Sequence, residues 1–151
     1  MQCSFQFFLR LPGIGIAHSH VMADLLVVDD DVDVAMPLIT ILEMEGHQVR
    51  YARDGEVALL KISERFPDLV LLDIEMPRLS GTKVAYRMLI EDCGRENIPI
   101  FVLSGVTDLS AVVRKIGTPY FLSKPYLLDE MLAILNKALS DRVRPNPLVS
   151  P

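Results

Sequence analysis

Four short apolar runs occur along the chain, and polar residues follow each of them. The runs cover 25–28, 69–72, 100–103 and 120–122, and the polar residues after them are Asp29 and Asp30, Asp73, Ser104, and Ser123 and Lys124. Runs of this length that are rich in Val and Leu predict β-strands buried on both faces. Because the carboxyl ends of parallel strands meet at one edge of a sheet, these polar groups are expected to lie together where open α/β sheets bind ligands.

Segments with helical spacing of apolar residues alternate with the strands. The predicted strands cover 24–29, 49–52, 68–73, 98–104 and 119–122, and the predicted helices cover 32–45, 54–66, 82–92, 108–116 and 127–139. Pro37 lies within the first helix and should remove one backbone hydrogen bond. His47 follows the end of that helix and is expected at the surface. Strands that alternate with helices predict a (βα)5 doubly wound parallel sheet in the α/β class, with right-handed crossovers.

The two ends of the chain lack this alternation. Residues 1–23 are predicted to be a disordered N-terminal extension, 24–139 one folded domain, and 140–151 a disordered Pro-rich tail. The segment before Met22 is either a dispensable extension or the product of a misassigned start. It begins with apolar residues, but it has no basic segment before them and is interrupted at Arg10, which argues against a signal peptide.

Composition excludes several classes of function. The chain has 151 residues, half of them hydrophobic, and a net charge of −5 without any run of Lys or Arg. This balance argues against binding of nucleic acid or of an anionic membrane, and no apolar stretch reaches the length of a membrane-spanning helix. The two cysteines, Cys3 and Cys93, are far apart and are interpreted as ordinary thiols of a cytoplasmic protein.

The polar groups at the strand ends suit the chemistry of a phosphoryl group. Three carboxylates at one sheet edge repel one another unless a cation lies among them, and oxygen ligands suit Mg²⁺. An aspartate can attack phosphorus and form an acyl phosphate. A metal ion and a lysine can then stabilise the charge on the transferred group, while a hydroxyl donates a hydrogen bond to it.

Four motifs carry a resemblance to a known family. They are LLVVDDD at 25–31, DLVLLDIEMPRLSG at 68–81, IPIFVLSG at 98–105 and FLSKPY at 121–126. In this order and near this spacing they resemble the receiver domain of response regulators, the CheY-like phosphoacceptor module of two-component signalling. The resemblance covers about 24–139 and implies the flavodoxin-like strand order 2-1-3-4-5.

The resemblance assigns a metal site. It implies that Asp73 is the phosphorylated residue and that Asp30 binds Mg²⁺ directly. Asp29 is expected to help either directly or through water, and the backbone carbonyl of Glu75 is expected to complete the protein ligands.

The resemblance also implies roles for residues on the last two strands. Ser104 would donate a hydrogen bond to the phosphoryl oxygen, and Lys124 would pair with the phosphate charge. The Lys124–Pro125 bond is expected to be cis. Phe121 falls where the family has its switching aromatic, and both a mobile switch and a static packing residue remain open for it.

The function implied is that of a stand-alone response regulator. A histidine kinase or histidine phosphotransfer protein would supply the phosphoryl group, and phosphorylation would switch a surface that binds a downstream protein. The expected protein is a monomer or a weak dimer that catalyses no reaction other than its own phosphorylation and dephosphorylation.

Other classes fit the residues less well. A degenerate receiver that binds partners without phosphorylation is the main alternative. A haloacid-dehalogenase-type phosphatase needs a second aspartate two residues after the nucleophile, where this chain has Glu75. An EF-hand loop starting at Asp29 needs Gly and Glu where Val34 and Thr40 stand, and a flavodoxin needs a phosphate-binding loop after the first strand.

Overall fold

The computed structural model describes residues 22–90 and 95–147, which form five strands and five α-helices with one short 3-10 helix. The strands are β1 Asp24–Val28, β2 Gln48–Ala52, β3 Leu69–Leu72, β4 Ile100–Ser104 and β5 Tyr120–Ser123. The helices are α1 Val32–Met44, α2 Gly55–Glu64, α3 Gly81–Ile90, α4 Leu109–Ile116 and α5 Leu128–Asp141, with the 3-10 helix at Arg95–Asn97.

All strands are parallel and form one sheet in the order β2-β1-β3-β4-β5. This confirms the predicted (βα)5 doubly wound fold with the flavodoxin-like strand order. Because every strand runs the same way, the carboxyl ends of β1, β3, β4 and β5 open onto the same edge of the sheet.

Alternating side chains of the strands build two separate cores. Leu26 and Val28 of β1 point to a core that includes buried residues of α2, α3 and α4. Leu25 and Val27 point to the other face, where α1 and α5 pack. The period of two residues in a strand thus explains why the apolar runs are continuous, since helices cover both faces of the sheet.

Aspartates begin three of the helices. The side chains of Asp31, Asp54 and Asp108 accept hydrogen bonds from the first-turn N–H groups of α1, α2 and α4, at 2.8 to 3.1 Å. These bonds satisfy donors that have no partner within a helix. Pro37 lies inside α1, which continues through it to Met44.

The segment after α5 packs against the domain. The helix runs to Asp141, and the N–H of Val143 then donates to the Tyr120 hydroxyl at 3.2 Å. The N–H of Asn146 donates to the carbonyl of Gly117 at 2.9 Å, and Pro145 is buried. Sequence analysis did not anticipate these contacts, because a Pro-rich segment without periodicity gives no signal of packing.

Some predictions concern residues outside the described ranges. Residues 1–21, 91–94 and 148–151 lie outside them, and with them Cys3, Cys93 and the predicted end of the third helix. Within the described ranges, no helix combines the length and apolarity needed to cross a membrane.

Candidate functional site

The carboxyl ends of four strands bring the predicted polar residues to one edge of the sheet. Asp29 and Asp30 follow β1, Asp73 follows β3, Ser104 ends β4, and Lys124 follows β5. Backbone hydrogen bonds continue the ladder across these positions, from the Asp73 N–H to Val28 at 2.9 Å and from the Lys124 N–H to Ser104 at 3.0 Å. Hydrogen bonds between neighbouring strands therefore fix the backbone positions of Asp73 and Lys124 at the site.

Three carboxylates converge at this edge. One carboxylate oxygen from each of Asp29, Asp30 and Asp73 lies within 4.8 Å of the others. Asp29 and Asp73 are only 6% and 7% exposed, whereas Asp30 is exposed to solvent. Since close carboxylates repel one another and all the donors are hard oxygens, this set fits a divalent cation such as Mg²⁺.

Asp73 is a buried carboxylate with opposing influences on its charge. Its Oδ1 atom accepts a hydrogen bond from the Ile74 N–H at 2.8 Å. Burial raises the pKa of Asp73, and the charge of Asp29 raises it further. Lys124, the Ile74 N–H and a hydrogen bond from Ser104 lower the pKa but do not cancel the increase. The folded protein therefore holds this carboxylate at an energetic cost.

Lys124 reaches into the acidic cluster. Its Nζ atom lies 2.7 Å from Oδ2 of Asp29 and 3.9 Å from Oδ1 of Asp73. Burial lowers the pKa of Lys124, but the hydrogen bond to Asp29 and the charges of both aspartates outweigh it and leave the pKa raised. The ammonium is thus fully charged and neutralises part of the cluster. The Lys124–Pro125 bond is cis, as the resemblance implies.

The remaining predicted residues lie around this cluster. Ser104 is fully buried, and its hydroxyl accepts from the Val106 N–H at 3.5 Å. Glu75 is exposed in the loop after β3, and its Oε2 lies 3.9 Å from the position that a Cβ atom on Gly105 would occupy. Phe121 on β5 is 40% exposed. The structure thus brings together the carboxylates, Ser104 and Lys124, while Phe121 lies on β5, separated by β4 from the strand that precedes Asp73.

Sequence reasoning missed Tyr51. This residue lies on β2, and its hydroxyl donates to the backbone carbonyl of Asp29 at 2.9 Å. Burial raises the pKa of Tyr51, as do the charges of Asp29 and Asp30, so the phenol remains a protonated donor. No motif includes Tyr51, and only the parallel pairing of β2 with β1 places it beside the acidic cluster.

Gly81, the last residue of the second motif, permits a close approach to the site. A Cβ atom at this position would lie 2.2 Å from the carbonyl oxygen of Asp73, well inside van der Waals contact. The Gly81 N–H also donates to the carbonyl of Ile74 at 3.2 Å. The start of α3 can therefore press against the strand end that carries Asp73 only because residue 81 has no side chain.

Comparisons with known proteins agree on one family. The family model described as response regulator receiver domain matches residues 25–136. The nitrogen assimilation regulatory protein NtrX of Azorhizobium caulinodans is 35% identical over 120 residues, which are 77% of this chain and 26% of that protein. The response regulator MprA of Mycobacterium sp. (strain KMS) is 38% identical over 124 residues, which are 81% of this chain and 52% of that protein.

A solved structure gives the same result for the fold. The crystal structure of a CheY-like response regulator receiver domain protein from Methanospirillum hungatei matches with a TM-score of 0.73 and 26% identity, over 80% of this chain and 96% of that one. The curated relatives are longer, since the chain spans 52% of MprA and 26% of NtrX.

Proposed function

The chain belongs to the response regulator receiver domain family, and we propose that it accepts a phosphoryl group on Asp73 in two-component signalling. Receiver domains of these systems interact with histidine kinases and with downstream targets, so the donor would be a histidine kinase or a histidine phosphotransfer protein. The observation that carries the proposal is the position of Asp73. Its buried carboxylate lies at the sheet edge, within 4.8 Å of oxygens from two further carboxylates and 3.9 Å from the Lys124 ammonium.

The transfer would use Asp73 as nucleophile. A carboxylate oxygen attacks phosphorus, an oxygen–phosphorus bond forms, and the bond from phosphorus to the donor's histidine nitrogen breaks. The Ile74 N–H holds the Oδ1 atom of Asp73 and thereby orients the carboxylate. The protein would therefore contribute by positioning the nucleophile and by stabilising charge on the transferred group.

The neighbouring side chains would stabilise the product. Asp29, Asp30, Asp73 and the Glu75 backbone carbonyl would hold Mg²⁺, which supplies positive charge next to the transferred oxygens when bound. Lys124 would exchange its contact with Asp29 for a phosphoryl oxygen. The Ser104 hydroxyl, which lowers the pKa of Asp73, would donate to another phosphoryl oxygen.

The output would be a change of surface. A phosphoryl group adds up to about two negative charges and strong acceptor oxygens, to which Ser104 and Lys124 would move. These residues end β4 and β5, so the movement would bias Phe121 and the surface of α4, β5 and α5 between two pre-existing states. A downstream protein would bind one of those states.

The proposal extends to the whole protein only as a set of expectations. We predict a stand-alone, cytoplasmic regulator that is a monomer or weak dimer. We also predict that it does not bind nucleic acid or a membrane and that it catalyses only its own phosphorylation and dephosphorylation. We favour phosphoryl transfer over the alternative of a degenerate receiver. The support is that the three carboxylates lie within 4.8 Å of one another and that Lys124 contacts Asp29 at 2.7 Å.

Beryllofluoride, a mimic of the phosphoryl group, tests the proposal. With Mg²⁺ present, it should produce saturable changes in the backbone NMR spectrum at Asp73, Ser104 and Lys124 that spread into residues 105–128. The Asp73→Asn variant serves as the control and should give none of these changes. Changes confined to the acidic cluster would contradict the switch, and equal changes in both proteins would contradict the role of Asp73.

A further inference from the structure

We propose that Tyr51 is a positioning residue for the acidic cluster, because its hydrogen bond to the Asp29 carbonyl fixes the direction in which Asp30 is presented to Mg²⁺. The inference rests on the proposed function, since it concerns the metal that phosphoryl transfer would need. It adds a residue of β2, a strand that contributes no side chain to the cluster itself.

The end of β2 holds both backbone groups of Asp29. The Asp29 N–H donates to the carbonyl of Ala52 at 3.2 Å, and the Asp29 carbonyl accepts from the Tyr51 hydroxyl at 2.9 Å. The ring of Tyr51 packs against the core formed with α1 and α5, so the hydroxyl is held from the protein interior. Asp29 is thus clamped by two consecutive residues of the neighbouring strand.

This clamp determines the orientation of the next residue. The Asp29 carbonyl and the Asp30 N–H belong to the same planar peptide unit, so fixing the carbonyl also fixes the start of Asp30. The carboxylate of Asp29 is itself engaged, with Oδ1 accepting from the Asp31 N–H at 2.9 Å and Oδ2 contacting Lys124 at 2.7 Å. Asp30 is exposed, so its backbone, and not packing around its side chain, limits the region that its carboxylate can reach.

Loss of the hydroxyl should affect metal binding more than packing. In Tyr51→Phe the ring remains, but the Asp29 carbonyl loses its partner and the peptide unit gains alternative orientations. Only the fraction of molecules with Asp30 correctly placed would bind Mg²⁺ tightly, so the apparent affinity falls by that fraction. Groups that orient metal ligands typically change affinity by about 10- to 100-fold, and an indirect contact through the backbone is expected near tenfold.

Tyr120 provides a matched control for a purely structural effect. Its hydroxyl also bonds to the backbone, accepting from the Val143 N–H at 3.2 Å, but it lies at the start of β5, the opposite end of the sheet. Tyr120→Phe therefore removes one hydroxyl and one backbone hydrogen bond without touching the cluster. Any general cost of losing a tyrosine hydroxyl should appear in both variants.

Titration with Mg²⁺, followed by calorimetry and by the melting temperature, tests the inference. We expect the Mg²⁺ midpoint of Tyr51→Phe to rise about tenfold while that of Tyr120→Phe stays at the wild-type value. Asp30→Ala serves as the reference for a site that has lost a metal ligand. A Tyr51→Phe midpoint equal to wild type, or one that Tyr120→Phe matches, would overturn the role of Tyr51 and leave the proposed function intact. A wild-type protein indifferent to Mg²⁺ would instead contradict the proposed function, and the inference with it.

Discussion

Lys124 is the resident cation of the acidic cluster, and its removal should destabilise the protein most when no other cation is present. Its ammonium contacts two buried carboxylates, at 2.7 Å from Asp29 and 3.9 Å from Asp73. In Lys124→Met the side chain keeps its unbranched apolar stem and is one atom shorter, but both carboxylates lose their counter-charge. The free energy of unfolding should therefore fall in the presence of a chelator.

The size of this loss follows from the burial of the pair. Removing one partner of a buried ion pair costs about 3–5 kcal/mol, because the other charge is left without compensation. Since 23% of the Lys124 side chain is exposed, solvent reduces the cost, and we expect about 2–3 kcal/mol. For a domain of this size that is a fall in melting temperature of roughly 10 °C.

Chemical denaturation with and without Mg²⁺ measures the effect. Saturating Mg²⁺ should restore part of the loss, because a divalent cation takes over the neutralisation of the same carboxylates. Lys137→Met is the matched control, since Lys137 pairs with Asp141 at the same 2.7 Å but on the exposed surface of α5. The control should change neither stability nor the Mg²⁺ response. Equal stability of Lys124→Met and wild type in chelator would mean that Lys124 does not neutralise these carboxylates.

Two further predictions concern stability. Burial raises the pKa of Asp73 above its ordinary 3.8, which means that the folded state favours the protonated carboxyl. The contribution of this group to the free energy of unfolding is therefore complete below pH 3.8 and is lost as the pH rises through the folded pKa. Asp73→Asn, which stays neutral, should therefore be more stable than wild type at neutral pH in chelator, with the difference closing in acid. Urea unfolding at several pH values measures this, and a difference that grows in acid would contradict it. Gly117 has φ +72, and its Cβ would lie 1.9 Å from the Asn146 carbonyl oxygen, whereas Gly46 has φ +90 with nothing within 4 Å. Gly46→Ala should cost about 1–2 kcal/mol for the backbone conformation alone, and Gly117→Ala should cost more because the segment 142–147 must move; equal losses would mean that this segment contributes nothing to stability.

The sequence predicted the fold and the cluster because both depend on local patterns. A strand buried on both faces leaves a continuous apolar run, and a polar residue at its end must lie at the sheet edge. The positions of Asp29, Asp73 and Ser104 could therefore be inferred from the apolar runs alone. The strand order needed the family resemblance, since apolar runs do not state which strands are neighbours.

The features that sequence analysis missed depend on contacts between distant residues. His47 was expected at the surface, and that prediction was wrong: it is buried, and its Nδ1 atom accepts from the Ala23 N–H at 3.4 Å. Tyr51 contacts Asp29 only because β2 pairs with β1. The contacts of residues 142–147 with Gly117 and Tyr120 likewise arise after the sheet has formed. A local pattern carries no information on such pairs.

Phosphorylation by a small donor is the decisive test of Asp73 as the phosphoacceptor. Incubation with acetyl phosphate and Mg²⁺, followed by intact-mass measurement, should show the addition of one phosphoryl group that both acid and base remove. Asp73→Asn should remain unmodified under the same conditions, and omission of Mg²⁺ should suppress the labelling of the wild-type protein. No labelling of the wild type, or equal labelling of the Asp73→Asn variant, would contradict the assignment of Asp73 as the phosphoacceptor.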